Sequence, residues 1–235
     1  MLLNGNKIFQ DTNGFLFGID AVLLCDFAKK SLKKDDFVVD LCSGNAVVPL
    51  LLEKNILNGK ILGVEIQKSS FMLAQKSIKL NNLQEKIDFL NEDLKNIHLY
   101  IKKHSVNFVT CNPPYMILKH GKQNFADEKA IARHEIFCKL EDIITAADFL
   151  LKTHGVFCMI HRPFRLPEIF SCLKCHNFEP KRMKLVFPFI DKQPNLVLIE
   201  ARKNANPELK IEPPLIVREK SGMYTKEINE IYKFN

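Results

Sequence analysis

Val106-Asn107-Phe108-Val109-Thr110-Cys111-Asn112-Pro113-Pro114-Tyr115 decides the fold. Its first six residues form a short apolar run of the kind that makes a buried strand. The strand must stop where the prolines begin, because proline has no N–H to offer a sheet. An amide, two backbone carbonyls and an aromatic ring are thereby left at the carboxyl end of a strand. Open α/β sheets bind their ligands at that edge.

Working outward, strands and helices alternate on both sides of this stretch. Upstream, Ile19–Lys30 carries apolar residues at helical spacing, and Asp35–Leu41 reads as a buried strand followed by the turn Cys42-Ser43-Gly44-Asn45. Val47 to Glu53 is a short helix with Pro49 in its first turn, where a missing N–H costs little. Lys60–Ile66 and Ile87–Leu90 are strands separated by the amphipathic helix Ser69–Leu80. Downstream, the polar segment Met116–Cys138 leads to a helix at Leu140–Lys152, a strand at Val156–Ile160 and a helix at Leu166–Cys175. Arg182–Phe189 and Leu196–Glu200 have no helix between them, so they form a closing antiparallel pair. Alternation of this kind implies right-handed crossovers and an α/β fold with a mostly parallel sheet. One domain spanning 1–235 is expected. Residues 1–30 form its N-terminal segment and helix, and the proline-bearing tail 206–235 packs on it as an extended stretch and a short helix.

Composition narrows the function classes. The 235 residues are 46% hydrophobic and 26% charged, and no apolar run reaches membrane-spanning length. Without a secretory signal at the amino terminus, a cytoplasmic location is expected, and seven scattered cysteines read as free thiols. The net charge of +7 favours a polyanionic partner, although pairs such as Lys29-Lys30 and Lys33-Lys34 read as solvated surface. Cys172-Leu173-Lys174-Cys175-His176 matches a C-x-x-C-H haem pattern. It sits at a helix end and supplies only two thiolates, so neither haem nor metal is expected.

The ends of the first three strands carry the donor chemistry. Asp40-Leu41-Cys42-Ser43-Gly44-Asn45-Ala46 is a small-residue turn that a ligand can approach closely. Glu65 stands where an acid accepts ribose hydroxyls, and Asp93 where one receives an adenine amino group. Acids at successive strand ends, with no basic residue in the turn, suit a sulfonium better than a pyrophosphate. S-adenosylmethionine fits better than NAD.

With those residues stated, the chain resembles the bacterial tRNA-valine adenine-N6 methyltransferases, a group of S-adenosylmethionine-dependent amino-methyltransferases. The likeness covers about residues 14–225. Its marks are Asp40…Gly44, Glu65, Asp93 and Asn112-Pro113-Pro114-Tyr115, together with Phe15–Leu24, Gly63–Gln67, Ile131–Glu135, His161–Pro163, Pro180–Met183 and Val197–Glu200. The resemblance implies a Rossmann-like class I fold: a seven-stranded, mostly parallel sheet, helices on both faces and a final antiparallel strand. It implies a donor site of Phe17, Asp20, Asp40, Cys42, Ser43, Gly44, Asn45, Glu65, Ile66, Asp93, Leu94 and Asn112. Asn112, Pro113, Pro114 and Tyr115 are the expected catalytic block. Tyr115, Arg133, His134, Arg162, Arg165, Lys181 and Arg182 are the expected RNA contacts, with Met116–Cys138 as lid or clamp. The substrate implied is an adenine of tRNA-valine beside the anticodon, with no membrane and no obligate protein partner. A protein-glutamine N5-methyltransferase and a catalytically silent RNA-binding module are the alternatives.

One departure bears on the donor. The family's first turn carries three glycines, and here Cys42 and Ala46 replace two of them. If those positions need positive φ, each non-glycine residue costs on the order of 1 kcal/mol, a cost expected to weaken the donor about tenfold.

Overall fold

The computed structural model describes residues 2–10, 17–114 and 138–232. Its centre is a nine-stranded sheet. In chain order the strands are β1 (Phe37–Leu41), β2 (Lys60–Glu65), β3 (Ile87–Asn91), β4 (Val106–Cys111), β5 (Leu151–His161), β6 (Phe178–Phe189), β7 (Leu196–Lys203), β8 (Lys210–Ile211) and β9 (Leu215–Arg218). The helices are α1 (Ile19–Ala28), α2 (Val47–Leu52), α3 (Lys68–Leu80), α4 (Leu140–Leu150), α5 (Leu166–Cys175) and α6 (Lys226–Tyr232). The spatial order is β3-β2-β1-β4-β5-β7-β6-β8, with β9 also paired to β6. From β3 through β5 every pairing is parallel, and β7 enters antiparallel between β5 and β6.

Two-residue periodicity divides the core between the faces. Val38, Phe108, Cys158 and Leu198 pack on the face covered by α1, α2 and α6. Val39, Val109, Phe157 and Ile199 pack on the opposite face, against α4 and α5. Both faces of the central strands are therefore dry, which is why they read as continuous apolar runs rather than as alternating ones. Among the described residues no helix is long and apolar enough to cross a membrane.

The strand count corrects the expectation of seven. The two additional strands come from the tail, where Lys210-Ile211 and Leu215–Arg218 align parallel to β6. Arg182 on β6 is one of the residues that hold the tail. Its guanidinium bonds the Glu200 carboxylate at 2.6 Å, Glu212 of the tail at 3.0 Å and the Phe27 carbonyl of α1 at 2.8 Å. It also lies 3.9 Å over the Phe27 ring. Downstream, α6 buries Ile228 and Ile231 in the same core as α1. Elsewhere, β5 begins at Leu151, directly after α4, so the helix expected to reach Lys152 ends two residues sooner.

Candidate active site

The order of strands reverses between β1 and β4, and this topological switch point is where an open α/β sheet forms its ligand crevice. A cavity of about 640 Å³ opens there. That volume lies inside the range of about 300–1,000 Å³ typical of small-molecule sites. The turn after β1, the ends of β2 and β3, the start of α1 and Asn112-Pro113-Pro114 after β4 all line it.

Asp40 ends up buried because β1 is the centre of the sheet. Register sets Asp40 opposite Thr110, whose hydroxyl donates to it at 2.6 Å, and Ser43 of the turn donates to the other oxygen at 2.6 Å. Burial raises the Asp40 carboxyl to about 7, the two hydroxyl bonds oppose that rise, and the neighbouring Glu65 adds to it.

Glu65 orients the turn. Its Oε2 accepts the Gly44 N–H at 2.8 Å and its Oε1 accepts the Gln67 N–H at 2.7 Å. A carboxylate accepts about four hydrogen bonds. Two N–H groups hold this one in place at the cavity wall, where an acid can meet a ribose diol.

The turn itself holds three consecutive alternate residues in the left-handed region: Cys42 at φ 57°, Gly44 at φ 58° and Ala46 at φ 71°. Cys42 and Ala46 therefore adopt the conformation that favours glycine. A Cβ built on Gly44 meets no atom of the described residues within 4 Å, and Gly44 lines the cavity. Cys42 and Cys138 both line the cavity, their sulfurs 3.9 Å apart.

Asp93 caps the 3-10 turn Leu94–Leu99 by accepting the Lys95 N–H at 3.0 Å, and its other oxygen meets Lys95 Nζ at 3.1 Å. It lines the cavity at the same time, as do Phe17, Asp20, Ser43, Asn45, Ile66 and Leu94. Gly18 permits the Asp20 side chain to fold back: a Cβ there would lie 2.7 Å from Asp20 Oδ1. Glu92, Gln67, Ser69, Ser70 and Leu73 also line the space and were not anticipated. For Glu92 the available signal was its place beside Asp93 at one strand end.

The charge pattern is one-sided. Asp20, Asp40, Glu65, Glu92 and Asp93 face the cavity with a single basic side chain, Arg162, among the described residues. This set suits a cationic ligand, and together with the open space at Gly44 and the bound carboxylate of Glu65 it fits S-adenosylmethionine. At the acceptor end, Asn112 is half-buried, Pro113 buried and Pro114 exposed.

The basic residues separate. Arg162 lines the cavity, with Nη1 donating to the Asn195 carbonyl at 2.9 Å. Arg165, the residue before α5, is bound to Glu168 in the first turn of that helix, and Lys181 to the Asn206 carbonyl at 3.1 Å, with Glu208 at 3.6 Å. Arg182, also expected to contact phosphate, has its guanidinium on Glu200, Glu212 and the Phe27 carbonyl and does not line the cavity. Tyr115, Arg133, His134 and all of the segment expected to form a lid except its last residue, Cys138, lie outside the described residues. A second concavity, about 690 Å³, is lined by Ile190 and residues of the tail and shares no lining residue with the first.

The family model for the methyltransferase small domain matches residues 19–168, the span that contains both the donor turn and Asn112-Pro113-Pro114. The chain belongs to this family. The methyltransferase is 23% identical over 216 residues to a Dyadobacter fermentans protein named tRNA1(Val) (adenine(37)-N6)-methyltransferase, covering 91% of this chain and 87% of that one. A Porphyromonas gingivalis protein of the same name is 23% identical over 217 residues, covering 89% and 84%. Among solved structures, a predicted O-methyltransferase from Agrobacterium tumefaciens superposes with a TM-score of 0.72 at 19% identity, covering 91% of this chain and 95% of that one. At that identity the likeness concerns the fold.

Proposed function

We propose that this methyltransferase places a methyl group on the exocyclic N6 nitrogen of an adenine in tRNA, with tRNA-valine as the substrate. The observation that carries the reading is the shared cavity. Asn112-Pro113-Pro114, a block suited to a planar amino group, opens into the same space as Glu65 and Asp40. The relatives named above supply the substrate class, and the net charge of +7 suits a phosphate-rich partner.

S-adenosylmethionine, when bound along Gly44, Glu65 and Asp93, supplies an electrophilic methyl. The chain's own residues handle the nucleophile. The adenine amino group is a weak nucleophile because its lone pair is delocalised into the ring. Asn112 Oδ1 and the Pro113 carbonyl are two acceptors for its two hydrogens, and accepting both favours a more tetrahedral nitrogen. The consecutive prolines restrict the backbone that carries these acceptors, so they are arranged before substrate arrives. Alignment of nitrogen with methyl supplies much of the acceleration, and the surplus proton leaves to solvent. Tyr115 is assigned to stacking on the base, and Arg162 at the cavity wall to a flanking phosphate. An adenine in folded RNA must be unstacked to reach this depth. A tRNA substrate places the activity in the cytoplasm, in keeping with seven cysteines none of which is paired.

Incubation with labelled S-adenosylmethionine and unmodified tRNA, followed by nucleoside analysis, tests this reading. Label in N6-methyladenosine is expected. Label confined to a glutamine-bearing protein acceptor overturns the RNA assignment, and no transfer to either overturns the enzymatic one.

A further inference from the structure

Outside the cavity, one group of metal-ligating side chains is assembled from two helices. The C-x-x-C-H run supplies two of its members. Cys172 and His176 are four residues apart at the end of α5 and so share a face, and Glu141 in the first turn of α4 meets them. Cys172 Sγ lies 3.1 Å from Glu141 Oε2, and His176 Nε2 lies 3.6 Å from Glu141 Oε1. One ligand atom from each of the three falls within 4.8 Å of the others. A tetrahedral zinc ion with bonds of about 2.0–2.3 Å sets its ligand atoms about 3.4–3.6 Å apart. Glu141 already reaches both partners at about that spacing, while the sulfur lies 4.0 Å from the other ring nitrogen, Nδ1, so coordination through Nε2 requires the Cys172 side chain and the imidazole to turn toward a common point.

The histidine is oriented for the purpose. Its Nδ1 lies 3.0 Å from the Cys172 carbonyl oxygen. An Nδ1–H donating there leaves the lone pair on Nε2, the atom facing Glu141, which is the usual arrangement of a metal-bound histidine. The Thr145 hydroxyl, 3.1 Å from Nε2, is the partner that a cation would replace. Cys172 is buried while Glu141 is exposed, so the group opens to solvent on one side, where a water can complete four ligands.

We propose that Glu141, Cys172 and His176 bind a divalent cation of the zinc class. Thiol, imidazole and carboxylate together suit zinc and its borderline neighbours rather than magnesium or calcium. As the metal–sulfur bond forms, the Cys172 thiol releases its proton to solvent. Neutral imidazole and carboxylate donate as they stand, and nothing is oxidised or reduced. Cys175, exposed on the same helix, is outside the ligand set. The ion pins the first turn of α4 to the last turn of α5. Cys138 precedes Glu141 by three residues and lines the donor cavity, so the pin steadies that wall.

The full chain, stripped with chelator and titrated with cobalt(II), tests the proposal through its thiolate-to-cobalt charge-transfer band, with zinc(II) then added as competitor. One equivalent is expected to bind, zinc to displace it, and the melting temperature to rise with either ion. Cys172→Ser should abolish the band. His176→Gln, at a half-buried position, and Glu141→Gln, at an exposed one, should weaken binding at least tenfold. Cys175→Ser and Cys138→Ser should leave it unchanged. A band that survives Cys172→Ser, a band lost in Cys138→Ser, or wild-type binding no tighter than that of His176→Gln overturns the assignment.

Discussion

Replacing Gly44 with alanine separates the donor turn's role in folding from its role in binding. Gly44 sits at φ +58°, and the added methyl would meet no atom of the described residues within 4 Å. Folding therefore pays only for the left-handed backbone, about 1–2 kcal/mol. The lower chain entropy of unfolded alanine offsets about 0.4–1 kcal/mol of that. The net loss, on the order of 0.5–1 kcal/mol, lowers the melting temperature of a chain this size by about 1–4 °C. Binding should respond more strongly, because Gly44 lines the cavity. Excluding the ligand from it by even about 1.4 kcal/mol raises the dissociation constant tenfold. Cys42→Gly is the matched control. Cys42 already holds φ 57° in the structure, and a turn that keeps this angle on binding donor carries the same strain in both states, so the strain cancels in the binding equilibrium. A preformed turn predicts little change in donor affinity from Cys42→Gly, whereas a turn that must tighten on binding predicts the tenfold effect. Calorimetric titration with S-adenosylmethionine should show Gly44→Ala weakened at least tenfold and Cys42→Gly changed less than threefold. Unaltered binding by Gly44→Ala, or a tenfold gain from Cys42→Gly, would refute the reasoning.

Three further outcomes follow from the same geometry. Asp40 titrates near 7 in the fold and near 3.8 when unfolded, so the folded chain holds a proton that the unfolded chain releases between those values. Stability then falls as pH rises through this window, by at most about 4 kcal/mol. Urea unfolding should show Asp40→Asn gaining on the wild type between pH 5 and pH 8. Arg182→Ala leaves the buried Glu200 carboxylate with only the Ser31 hydroxyl at 2.7 Å and Arg202 at 3.5 Å, and should cost at most about 3 kcal/mol of stability, read as a lower urea midpoint, with tRNA affinity of the folded protein unchanged at low temperature. Arg162→Ala should weaken tRNA and reduce the salt-dependence slope of binding by about 1, while S-adenosylmethionine affinity measured by calorimetry stays within threefold.

The central sheet could be read from the chain because local pattern determines it. Val106–Cys111 and Leu166–Cys175 occupy the spans that their apolar runs and spacing indicate. The tail strands escaped because Lys210-Ile211 is two exposed residues beside prolines, a length that carries no periodicity. Arg182 could not be placed from its neighbours in sequence, since its partners Glu200 and Glu212 lie 18 and 30 residues away. The same limit hid the Thr110 bond to Asp40 across 70 residues and the approach of Glu141 to Cys172 across 31. At the site, the carboxylates at strand ends were visible because topology alone delivers strand ends to one edge. The left-handed backbone at Cys42 and Ala46 was a conditional expectation resting on the glycines of related turns, and only the coordinates supply the angles.

The most direct measurement is single-turnover transfer from labelled S-adenosylmethionine to unmodified tRNA by the wild type and by Asn112→Ala. If Asn112 Oδ1 helps to hold the amino nitrogen for attack, the variant should bind donor and tRNA within threefold of wild type and form N6-methyladenosine about 10²–10³ times more slowly. An Asn112→Ala enzyme that methylates at the wild-type rate would contradict the account.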